Sequence, residues 1–95
     1  MTISNYSNGS TTIGTSPTLV CTVDEVSTGV LVQNTGSAAI YFGGANVTTS
    51  GAYTGISVAA NATLFIPSVG GLQHSLYATV ASSTQPCTWL YAQAS

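Results

Sequence analysis

Turn signals interrupt this chain so often that no long element can form. Seven short runs rich in β-branched and aromatic residues stand between them: Thr18–Val23, Val30–Gln33, Ala39–Phe42, Ile56–Val58, Thr63–Ile66, Leu76–Ala81 and Cys87–Ala92. The breaks are Asp24-Glu25, Asn34-Thr35-Gly36-Ser37, Gly43-Gly44, the neighbourhood of Asn61, the Pro67-to-Gly71 stretch and Ser82-Ser83-Thr84-Gln85-Pro86. A turn signal roughly every 8–12 residues belongs to all-β sandwiches and barrels. No stretch of about ten residues keeps a helical period free of Gly, Pro or β-branched crowding. The spacing therefore predicts an all-β domain. We expect a small β-sandwich or jelly-roll-like barrel of about seven to eight short antiparallel strands. The runs on either side of Asn34-Thr35-Gly36-Ser37 read as a hairpin, since four turn residues join them.

Residues 1–16 differ from the rest. They are hydroxyl-rich, contain Gly9 and Gly14, and offer only Met1, Ile3, Tyr6 and Ile13 as sizeable apolar groups. This low-complexity composition reads as an extended N-terminal arm ahead of a β-sandwich domain at 17–95, or else as a frayed terminus. As an arm it would reach a partner through Ile3, Asn5, Tyr6 and Ile13.

Charge narrows the function. The 95 residues include no Lys or Arg, one Asp, one Glu and one His. Charged residues are 2% of the chain, against roughly a quarter in ordinary soluble proteins. Without cations the chain does not neutralise phosphates, which excludes conventional nucleic-acid binding, and it has no polybasic membrane anchor. The longest unbroken apolar run, Ala38 to Phe42, falls far short of the roughly 20 residues of a membrane span. No basic leader followed by an apolar stretch opens the chain, which predicts a product folded in the cytoplasm. Disorder is equally disfavoured, because hydrophobic residues are 44% and the net charge is only −2.

The inventory for catalysis is thin. Asp24 and Glu25 are adjacent, so on a strand they point to opposite faces and do not flank one substrate. His74, in a Gly-Gly-Leu-Gln-His-Ser stretch that reads as a loop, is surrounded by no nucleophile motif. Cys21 and Cys87 lack the paired spacing of a metal site. Neither a cofactor nor a metal is expected, and the reading is non-enzymatic. The two cysteines lie on the first and last predicted runs after residue 17. A Cys21–Cys87 disulfide is geometrically conceivable, with buried free thiols as the alternative.

Several runs are apolar on both faces: Val30-Leu31-Val32, Ile40-Tyr41-Phe42 and Leu64-Phe65-Ile66. A half-solvated strand should alternate, so the outer face is expected to be covered too, by neighbouring subunits. The aromatic residues Tyr41, Tyr53, Tyr77, Trp89 and Tyr91 offer another role, stacking on host-surface sugars.

One stretch carries a resemblance. GVLVQNTGSAAIYFGGANVT, from Gly29 to Thr48, followed by GISVAANATLFIP, Leu76-Tyr77-Ala78 and a last strand from Cys87 to Ala92, resembles small structural proteins of tailed bacteriophages. It spans about residues 29–92. The resemblance implies a virion β-sandwich protein at the capsid surface: a decoration (cement) or minor head protein. Its partners would be the major capsid protein and copies of itself, as a trimer. A tail, neck or fibre attachment is the nearest alternative. Family members usually carry some charged residues, and this chain has almost none.

Overall fold

The structure, a computed structural model, describes residues 4–24, 27–68 and 72–94. Eight strands form among these residues: β1 (Ser4–Ile13), β2 (Thr18–Val23), β3 (Gly29–Asn34), β4 (Ile40–Gly43), β5 (Ile56–Val58), β6 (Thr63–Pro67), β7 (His74–Thr79) and β8 (Gln85–Ala94). They build two four-stranded sheets with the orders β1-β8-β3-β6 and β2-β7-β4-β5, here called sheets A and B. All strand pairs are antiparallel. The pairs β1–β8, β2–β7, β3–β6 and β4–β5 nest like one long hairpin, and β3–β8 with β4–β7 roll it into two layers. This is the strand order of a jelly roll, the small all-β sandwich that the turn spacing predicts.

The core follows from alternation. Val30 and Val32 of β3 and Ile40 and Phe42 of β4 point inward and are buried. Val23, Val58, Leu76, Ala78 and Cys87 join them between the sheets. β2 departs from strict alternation. Its register against β7 shifts between Leu19 and Cys21, so Val20 is an extra residue and both Val20 and Cys21 are buried. The Thr11 hydroxyl donates to the Val20 carbonyl at 3.2 Å, satisfying an acceptor freed at this bulge.

Two sequence expectations change. The run at Asn34-Thr35-Gly36-Ser37 does not close a hairpin, because β3 and β4 lie in different sheets. It is a crossover, and buried side chains hold it. The Asn34 amide donates to the carbonyls of Ala38 (2.8 Å) and Val58 (2.9 Å), while Asn34 Oδ1 accepts from the Gly36 N–H at 2.9 Å. Gln85 Oε1 accepts from the N–H of Ser37 at 2.9 Å. The turn near Asn61 is as expected, with Asn61 at φ 63°, a conformation that Asn tolerates.

The second change concerns residues 1–16. Ser4 to Ile13 are extended, yet they form no separate arm: β1 pairs with β8 without a register break over ten residues. Ile13 is 0% exposed and belongs to this chain's own core. The Gly14 carbonyl, just beyond, accepts from the Val80 N–H at 3.1 Å and the Thr79 hydroxyl at 3.3 Å. The segment is thus tied into both sheets.

Candidate interaction surfaces

The register of sheet A sets side chains in straight rows across its outer face, since directly paired residues share a face. Leu90 lies opposite Leu31, Leu31 opposite Phe65, and Asn8 opposite Leu90. Directly opposite Cβ atoms sit about 5 Å apart. The resulting row Asn8–Leu90–Leu31–Phe65 crosses all four strands. Its apolar members are exposed: Leu90 37%, Leu31 42% and Phe65 55%. The next row, Ser10–Thr88–Gln33–Thr63, is made wholly of hydroxyl and amide groups. All members of the two rows except Phe65 border a shallow groove of about 570 Å³. Tyr6, also on the outer face and 74% exposed, stands diagonal to Leu90. A contiguous apolar strip beside neutral hydrogen-bonding groups suits an uncharged partner surface.

A second opening lies between the sheets. This cleft of about 330 Å³ is walled by inward residues such as Val23, Val30, Phe42, Ile66 and Leu76. His74 stands at its lining as the first residue of β7, opposite Val23, rather than in a loop. Its Nδ1 is 3.1 Å from the Leu72 carbonyl. Among the described residues no other titratable group lines the cleft.

The residues singled out in the sequence are dispersed. Asn5 and Tyr6 are exposed on β1, while Ile13 is buried in the core and unavailable to a partner. Ile3 and Glu25 lie outside the described residues. Cys21 and Cys87 are free thiols, not a disulfide, and both are buried. Burial pushes each thiol up to about 11 from 9.0. The neighbouring Cys87 adds to the rise at Cys21, while a backbone hydrogen bond from Thr11 partly offsets it at Cys87. High pKa and burial make these thiols unreactive. No cluster of three or more His, Cys, Asp or Glu able to hold a metal occurs among the described residues.

The aromatic residues proposed for sugar stacking are mostly occupied within the fold. Trp89 stacks on Tyr91 with ring centroids 5.6 Å apart. Its indole also covers Gly9 of β1, where an added Cβ would come within 2.7 Å of the ring. Tyr41 and Tyr77 are half-buried, and Tyr53 alone of the five is exposed.

Alternation alone predicts that Leu31 and Phe65 point away from Val30, Val32 and Ile66. Their alignment into one row with Leu90 depends on pairings between strands far apart in sequence, which local periodicity does not encode. Compared with known proteins, the chain matches no family model, no curated protein and no solved structure.

Proposed function

We propose that this chain is a structural protein of a virion, a decoration protein held as an oligomer on the head lattice of a tailed bacteriophage. The observation that carries the reading is the exposed row Leu90–Leu31–Phe65 on a sheet whose other face is already buried in the core. A chain without Lys or Arg cannot guard such a surface with the usual cations. Covering it with a neutral shell surface removes apolar area from water, which stabilises the assembly in proportion to the area covered. The resemblance of residues 29–92 to phage structural proteins supplies the setting.

Attachment through apolar area and neutral hydrogen bonds has a salt signature. Purified chain should co-sediment with heads that lack it, and binding should persist in about 1 M NaCl, where exposed ion pairs are screened within ~3 Å. Leu31→Ser with Phe65→Ser should abolish co-sedimentation while the chain stays folded. Binding that collapses with salt, or that survives the double substitution, contradicts the reading. Density for a few copies at the tail or neck, instead of many over the head, would move the protein to an attachment role.

A further inference from the structure

We propose that the free edge of β1 is a strand-pairing surface for a second copy of this chain, with the two β1 strands antiparallel about a two-fold axis at Asn8. The four sheet edges are unequal. β5 has three residues, β6 ends in Pro67, and β2 carries the bulge at Val20, whose carbonyl the Thr11 hydroxyl already caps. Shortness, proline and bulges are the standard ways to keep an edge from pairing. β1 has none of them. It is ten residues long, contains no proline or charged residue, and keeps its register with β8 throughout. Among the described residues no backbone group of another element pairs with its outer edge.

Length selects the occupant. Of the edge strands among the described residues, only another β1 offers enough uninterrupted backbone to cover this one. The two-fold also satisfies the pleat: residues opposite one another must share a face, so their numbers must have an even sum. An axis at Asn8 sets Asn8 against its own copy and Tyr6 against Ser10, all exposed on the outer face of sheet A. No like charges meet. The row Phe65–Leu31–Leu90–Asn8 then runs on into its copy, making one eight-stranded sheet with a doubled apolar strip. Backbone hydrogen bonds hold such a pair without salt bridges. The pairing does not rest on the virion reading, and a two-fold dimer differs from the trimer that the resemblance implies.

Asn8→Lys and Asn8→Asp test it. Light scattering on the eluting wild-type chain should give the mass of two 9.5 kDa chains. Each variant alone should elute as one chain, because like charges stand opposite across the axis. An equimolar mixture of the two should return to the mass of two. Isotope-filtered NMR on a half-labelled wild-type sample should show contacts between the β1 strands of the two copies, a readout independent of either variant. A wild-type mass of one or three chains overturns the proposal. So does either variant if it folds and remains paired, or a half-labelled sample with no contact between β1 strands.

Discussion

On β3, Val30 and Val32 are buried between the sheets, while Leu31 between them is open to solvent and aligned with Phe65 and Leu90. The outer face of sheet B is built differently. There Thr22 and Ser75 bring their hydroxyls within 3.5 Å, Ser57 is exposed, Tyr41 and Tyr77 are half-buried, and Leu19 is the exposed aliphatic residue. Both sheets contribute one apolar face to the common core. Among the described residues, only sheet A presents a second apolar row, Leu90–Leu31–Phe65, that runs across three adjacent strands. Two faces with the same solvent and no charge on either are thus distinguished by composition alone. That asymmetry supports the proposal that sheet A is the contact face.

Four changes break or sharpen this contrast. The largest effect is expected from deleting residues 1–16. The deletion removes β1, bares the edge of β8 and takes Ile13 out of the core, so the remaining chain should lose its cooperative thermal transition by circular dichroism. A native-like transition in the deletion would mean that β1 is dispensable. Next comes Phe42→Ala on the inner face, expected to cost about 3–5 kcal/mol in denaturant unfolding, because a fully buried ring leaves a cavity.

The third change is alkaline pH. Below pH 9 the Cys21 and Cys87 thiols are protonated in both folded and unfolded chains, so burial contributes its full stability. As pH rises past 9.0 the unfolded chain loses these protons first, and stability declines until pH passes about 11. The melting temperature should therefore fall between pH 9 and 11, and fall less steeply in the Cys21→Ala/Cys87→Ala double variant. Parallel pH profiles would show that the thiols are not held neutral by the core. The smallest effect on stability belongs to the outer row. Leu31→Ser and Phe65→Ser should each shift unfolding free energy by about 0.5 kcal/mol or less as monomers. A loss near that of Phe42→Ala would place these side chains in the core and dissolve the contrast.

Much of the fold is legible in residue pattern, and its limits are instructive. Thr18–Val23 and Ile56–Val58 coincide with β2 and β5, since β-branched residues bounded by turn formers leave little else to form. β1 is hidden because its inward positions are mostly small or polar. Gly9 is a glycine in order to admit the Trp89 indole, a reason that lies eighty residues away. The crossover at Asn34 resembles a hairpin turn for the same cause. What turns it toward the other sheet is Asn34 reaching the Val58 carbonyl and Gln85 reaching Ser37, both long-range contacts. Two-sided apolarity in Val30-Leu31-Val32 and Leu64-Phe65-Ile66 makes the apolar character of the outer positions Leu31 and Phe65 legible in the sequence. Ile13 reads as an arm residue yet lies in the core, because its solitary apolar side chain looks the same in sequence whether it enters a partner or its own core.

The most direct measurement compares the two outer faces in the assembled state. Thr63→Cys on sheet A, beside the apolar row and not part of it, and Ser57→Cys on sheet B each place one reactive thiol on an exposed strand position, with Cys21 and Cys87 shielded in the core. Thiol labelling of each variant, free and bound to heads, reads the cover directly. Rapid labelling of both is expected in the free chain, with protection on binding at position 63 but not at 57. Equal labelling of both positions in the bound chain, or protection at 57 alone, would contradict it.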